Sequence, residues 1–139
     1  MVIKVNIKQL GKGNPKVSGV EFQLREQPET VRGLIRECVR TCIARYAEAT
    51  ARGDSPRPLT PEEMADMEAV GRIAFGIHYG PGLPDEEKAV SDAFQAYEDG
   101  LFRIFVGDTE TGALDAPMAL DNDAEVTFLR LVMLAGRMW

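Results

Sequence analysis

The sequence is poor in the residues that most often carry chemistry or crosslinks. Its 139 residues hold two cysteines, one histidine and one tryptophan. Two cysteines are too few for the disulfide framework of a small secreted scaffold. The single histidine, His78, has no nucleophile or orienting carboxylate beside it in sequence, which a catalytic role needs. Positive charge is also short: 16 Lys and Arg face 22 Asp and Glu, a net of −6. That argues against non-specific binding to nucleic acid or anionic lipid, which needs clustered positive charge. It leaves protein partners open. The longest uninterrupted aliphatic run, Leu131 to Ala135, is far short of the roughly 20 residues of a membrane span. The first residues alternate apolar and polar, unlike the apolar core of a signal peptide. What is present, 45% apolar and 27% charged residues without repeats, is the composition of a globular chain. The expectation is one acidic, soluble, cytoplasmic domain over residues 1–139, with no cofactor and no enzyme activity of its own.

The hydrophobic pattern divides the chain into three blocks. In the first, Ile3, Val5 and Ile7 alternate with polar residues, and Val20, Phe22 and Leu24 do so again after the turn-rich Gly11 to Lys16. Period-two alternation around such a turn predicts a β-hairpin. Thr30 then stands where a helix cap is needed. Val31, Leu34, Ile35, Cys38, Val39, Cys42 and Ile43 follow at spacings of three and four, which predicts a helix with one apolar stripe, ending near Gly53. Gly33 is expected to permit close packing on the sheet. The second block, about 54–99, opens with a Pro-rich loop. Thr60 to Glu63 has the spacing of a capping box and predicts a short helix to about Val70. Gly71 to Pro84 reads as loop, with a brief extended piece at Ile73, Phe75 and Ile77. A second helix starts at Asp85 and carries Ala89, Val90, Ala93, Phe94 and Tyr97. In the third block Leu101 to Val106 predicts a buried strand. Leu114 to Pro117 with Leu120 predicts a short edge segment, and Asn122 a turn with positive φ. Val126 to Leu134 is apolar at both parities, as a strand covered on both faces would be. Val90, Phe94 and Tyr97 are the expected cover for the second face.

This order, hairpin, helix, insertion, strand, edge strand and final strand, resembles the ubiquitin-like β-grasp fold. Pro28-Glu29-Thr30-Val31 looks like the entry to the ubiquitin helix. Phe105-Val106-Gly107-Asp108, Leu114-Asp115-Ala116-Pro117 and Leu120 to Phe128 are similar to the second half of the ThiS and molybdopterin-synthase small-subunit sulfur carriers. The resemblance covers about 1–45 and 100–136. It implies an α+β fold, a mixed sheet curled around one principal helix, here with a two-helix insertion at about 54–99.

Family members that do chemistry use a C-terminal glycine carboxylate, which an E1-like ATPase adenylates. Here Ala135-Gly136 stands where Gly-Gly would be, followed by Arg137-Met138-Trp139. Two readings stay open. A processing peptidase removes the last three residues and exposes Gly136 for activation as a modifier or sulfur carrier. Otherwise the tail stays, and Met133, Leu134, Arg137, Met138 and Trp139 contact a partner, since Trp and Met are common in interface cores. The expected function is therefore a non-enzymatic interaction module, an adaptor or subunit of a larger assembly. Closure of a homodimer by Trp139 is a further option.

The remaining features have plain explanations. Cys38 and Cys42 share the apolar stripe and read as buried thiols, because a zinc site needs about two more ligands. Asp121, Asp123 and Glu125 lack the Gly and Glu positions of a calcium loop. Gly11-Lys12-Gly13 lacks the rest of a phosphate-binding loop. Arg32, Arg36 and Arg40 recur every four residues. This basic row reads first as a solvated helix face, and it is also a candidate for docking an acidic partner, or the acidic residues of the insertion, Glu62, Glu63, Asp66 and Glu68.

Overall fold

The structure, a computed structural model, describes residues 1–9, 17–51, 71, 75 and 85–130. Alternating apolar residues form the first two strands, β1 (Val2–Gln9) and β2 (Val17–Gln23). They pair antiparallel, with Ile3 opposite Phe22, and the register shifts between Val5 and Ile7. At that irregularity the Gly19 amide donates to Asn6 Oδ1 at 2.8 Å, and Gly19 has φ +69°. Only glycine adopts that backbone without steric cost.

The first helix, α1, spans Val31–Ala51. Its predicted stripe, from Val31 through Ile43, is buried at every position. Thr30 Oγ1 accepts from the Gly33 amide at 3.1 Å, the expected cap. A Cβ on Gly33 would meet Pro28 Cβ at 3.4 Å and Thr30 Oγ1 at 3.5 Å. The approach this glycine eases is therefore to the entry turn, not to the sheet. The second helix, α2, spans Glu86–Glu98 and is capped by Asp85, whose side chain accepts from the Lys88 amide. Glu86 and Glu87 in its first turn suit the positive end of the helix dipole. No helix among the described residues is long and apolar enough to cross a membrane.

Three strands complete the sheet: β3 (Phe102–Val106), β4 (Thr109–Glu110) and β5 (Ala124–Arg130). The strand order is β2-β1-β5-β3-β4. β1 and β5 are parallel, and the other neighbours are antiparallel. The architecture is α+β, a five-stranded mixed sheet with two helices among the described residues. The core lies between the sheet and α1. Ile3, Val5, Ile7, Phe22, Phe102, Ile104, Val126 and Phe128 supply the sheet side, each at most 1% exposed.

Several expectations are corrected. Phe75 has helical, not extended, backbone. Its ring stands edge-on to Phe102 and Phe128, at centroid distances of 5.9 and 5.1 Å, contacts worth about 0.5–1.5 kcal/mol each beyond area burial. Leu114 to Leu120 is not an edge strand. Its strand-type pairing among the described residues is a single isolated bridge, Thr30 to Pro117. The segment's carbonyls serve α1 instead: Arg32 N donates to Leu114 O at 2.7 Å and Val31 N to Ala116 O at 3.3 Å. Those amides have no partner within the helix, so the loop completes the cap. The positive φ falls on Asp123 (65°), one residue after Asn122. Asn122 acts through its side chain, whose Oδ1 accepts from Val2 N at 3.1 Å. The helix starting at 60 and the last residues of the expected final strand, 131–134, lie outside the described residues, as does the hairpin turn.

The largest correction concerns α2. Val90 and Ala93 are buried in the α1-side core, and Tyr97 lies 5.5 Å from Phe102, ring to ring. The helix stacks on α1 and leaves the second face of the sheet uncovered by any described helix. Accordingly Val126 and Phe128 are buried, while Thr127 and Leu129 are partly exposed. Phe128→Ala should cost about 3–5 kcal/mol in urea unfolding, and its neighbour Leu129→Thr less than about 0.5 kcal/mol. Equal costs would mean that both faces are packed.

Candidate protein-interaction surface

The candidate residues divide by where they lie. Met133, Leu134, Gly136, Arg137, Met138 and Trp139 fall outside the described residues, as do His78 and the acidic residues at 62, 63, 66 and 68. The basic row lies on α1, and the protein's own elements engage it. Arg32 makes a two-pronged ion pair with Asp115, Nε to Oδ1 at 2.9 Å and Nη2 to Oδ2 at 3.3 Å. Its guanidinium also stands 5.0 Å from the centroid of Phe94, with that of Arg36 at 5.6 Å. Arg40 Nε donates to Glu86 Oε2 at 2.8 Å, and its Nη1 lies 3.8 Å from Glu37 Oε2. The hydrogen bonds to Asp115 and Glu86 hold Arg32 and Arg40 above the ordinary guanidinium range. The row thus fastens α2 and the loop at 114–117 onto α1. Among the described residues of the insertion, Glu86 and Phe94 meet the arginines. Arg36 keeps an exposed position.

Other groups near α1 are also internal. Cys38 and Cys42 are wholly buried, and burial pushes the Cys38 thiol well above its ordinary pKa. A thiol so held is a poor nucleophile. Glu37, 7% exposed, accepts from the Arg25 amide through Oε1 at 3.0 Å and ties the strand exit to the helix. Among the described residues no three His, Cys, Asp or Glu side chains converge as metal ligands would.

The surface that sequence reasoning missed is the sheet face that no described helix covers. Strand alternation puts Lys4, Asn6 and Lys8 of β1, Glu125, Thr127 and Leu129 of β5, and Arg103 and Phe105 of β3 on it. The register sets them in cross-strand rows. One row is Lys8, Leu129, Arg103, and the next is Asn6, Thr127, Phe105. Asn6 Nδ2 donates to Thr127 Oγ1 at 3.3 Å, and Lys4 pairs with Glu21 at 3.0 Å. Phe105 and Leu129 are each half-buried, flanked by exposed Lys8 and Arg103. Arg103 is 3.8 Å from Glu110. A signal for this face existed in the alternation of β3 and β5. It was masked because Leu129 and Phe105 are apolar at the solvent parity, which reads as a strand covered twice.

Two measurements test the fastening of α1. The Asp115 carboxyl is held below its usual range by the hydrogen bond from Arg32 and by its charge. A lowered folded-state pKa makes the pair's contribution complete above the unfolded value of roughly 4, and lost as pH falls through the folded value. Thermal melts below about pH 4 should therefore fall more steeply for the wild type than for Asp115→Asn. Phe94→Ala should lower stability by about 1–2 kcal/mol, through lost packing on the arginines. A loss of a few tenths would leave α2 held by other contacts. Comparison with protein-family models, with curated proteins and with solved structures finds no match to this chain.

Proposed function

We propose that this chain is a non-enzymatic protein-interaction module on a ubiquitin-like β-grasp frame, serving as an adaptor or subunit of a larger assembly. Support for the frame is the strand order β2-β1-β5-β3-β4, with its parallel central pair and the helix between β2 and β3. The observation that carries the functional reading is the sheet face left open by the described helices, with Phe105 and Leu129 half-buried at its centre. Apolar side chains on a surface otherwise held by charged residues are what a docked partner buries. The thiols of Cys38 and Cys42 are buried, and Arg32 and Arg40 are paired within the protein, which leaves Arg36 as the exposed arginine of the row.

The test is affinity purification of the full chain from its own cells, beside a Phe105→Ser, Leu129→Ser double variant. The wild type should retain a defined protein in stoichiometric amount. The variant should lose it while unfolding at nearly the same denaturant concentration. Retention of the same partner by the variant, or no stoichiometric partner with either, defeats the reading.

A further inference from the structure

Lys8, Leu129 and Arg103 lie side by side on three neighbouring strands. Adjacent strands are about 4.8 Å apart, so the backbone positions of Lys8 and Arg103 stand about 10 Å apart with an aliphatic side chain between them. Exposed charges at that separation are largely screened from each other, so what marks a cation as open to a partner is a weak or missing counter-charge of its own. Four other cations of the described residues have one at close range. Lys4 has Glu21 at 3.0 Å, Arg32 has Asp115 at 2.9 Å, Arg40 has Glu86 at 2.8 Å and Lys88 has Asp92 at 3.0 Å. Arg103 has Glu110 at 3.8 Å, with both side chains about half exposed, 54% and 46%. A pair of that length and exposure is screened by water and adds little. Lys8 is exposed and has no ion pair among the described residues. In a chain of net charge −6 this row is a local excess of positive charge around an apolar centre.

We infer that the docked partner presents an acidic segment with an apolar side chain between its carboxylates, laid across Lys8, Leu129 and Arg103. This inference rests on the docking reading and names the partner's chemistry. The apolar side chain covers Leu129 and reaches Phe105 in the next row. The carboxylates meet the two cations. Nucleic acid would answer the cations, but its phosphate backbone needs more clustered positive charge than two cations on a chain of net charge −6 supply, so protein is the better fit. Charge complementarity of this kind acts on approach and on partner choice, and weakens with salt.

The probes are three short synthetic peptides that differ only around a central Leu: Asp-Leu-Asp, Ser-Leu-Ser and Lys-Leu-Lys in the same Gly-Ser background. A short oligothymidylate is the fourth. Each is titrated into the isotope-labelled full chain, and amide shifts are followed by NMR. The acidic peptide should move Lys8, Leu129, Arg103 and Phe105, and bind at least about threefold tighter than the serine peptide at low salt, with the difference vanishing near 0.5 M. The Lys8→Glu, Arg103→Glu variant should reverse the order of the acidic and lysine peptides, with amides distant from the face unmoved. If the serine peptide moves this row as strongly as the acidic one, the acidic partner is wrong and the docking face stands. If oligothymidylate moves it as strongly, the site reads phosphate and the inference falls. If no probe moves this row, the inference falls together with the main support for the docking reading.

Discussion

The parallel pairing of β1 with β5 is the constraint on which the remaining structure hangs. It joins the first strand to the last described one over Ile3 to Gln9 and Ala124 to Arg130. A parallel pair cannot be closed by a tight turn, so the intervening chain must cross over the sheet. α1 makes that crossing, and its apolar stripe covers the face where Ile3, Val5, Ile7, Val126 and Phe128 meet. The outer strands then attach by antiparallel pairing, β2 beyond β1 and β3 beyond β5. A shift of one residue in the central register would turn Val126 and Phe128 to the solvent face, which their burial forbids.

α2 adds a second layer on α1, not on the bare face of the sheet. The reason is chemical fit. α1 offers three arginines on its outer side, and α2 brings Phe94 and Glu86 to them, with Tyr97 reaching Thr111 Oγ1 at 2.8 Å and the carbonyl of Gly112. The opposite face of the sheet offers short polar pairs, Lys4 with Glu21 and Asn6 with Thr127, which are satisfied among themselves. Stacking the helix there would bury those groups at a cost. The same arrangement that ties Arg32 and Arg40 to neighbouring elements leaves Phe105 and Leu129 without cover from a described helix.

Much of this was legible in the residues. β1, β2, α1 and α2 follow from periods of two and three to four, and their caps at Thr30 and Asp85 are where the side chains require them. β3 and β5 are legible as strands, but their coverage is not, because Phe105 and Leu129 carry no mark that separates an interface from a core. β4 is too short, at two residues, for any periodic signal. Phe75 was placed wrongly because Ile73, Phe75 and Ile77 alternate as a short strand would, whereas the place of Phe75 is set by Phe102 and Phe128, distant in sequence. The role of Leu114 to Pro117 was hidden for a related reason: its carbonyls, not its side chains, do the work of capping α1. The candidate tail at 131–139 lies outside the described residues, so the choice between an exposed Gly136 and an intact Trp139 still rests on sequence resemblance.

That cap has a consequence for the order in which the protein is made. A ribosome releases the hairpin and α1 long before residue 114. During that interval the first amides of α1 lack the carbonyls of Leu114 and Ala116, and the inner edge of β1 lacks β5. The nascent chain therefore holds an incomplete helix start and an open strand edge until its last quarter emerges. An edge of that kind invites pairing with other chains. Early termination anywhere before about residue 114 yields a fragment with neither defect repaired, and such fragments belong to the chaperones and proteases rather than to the folded pool.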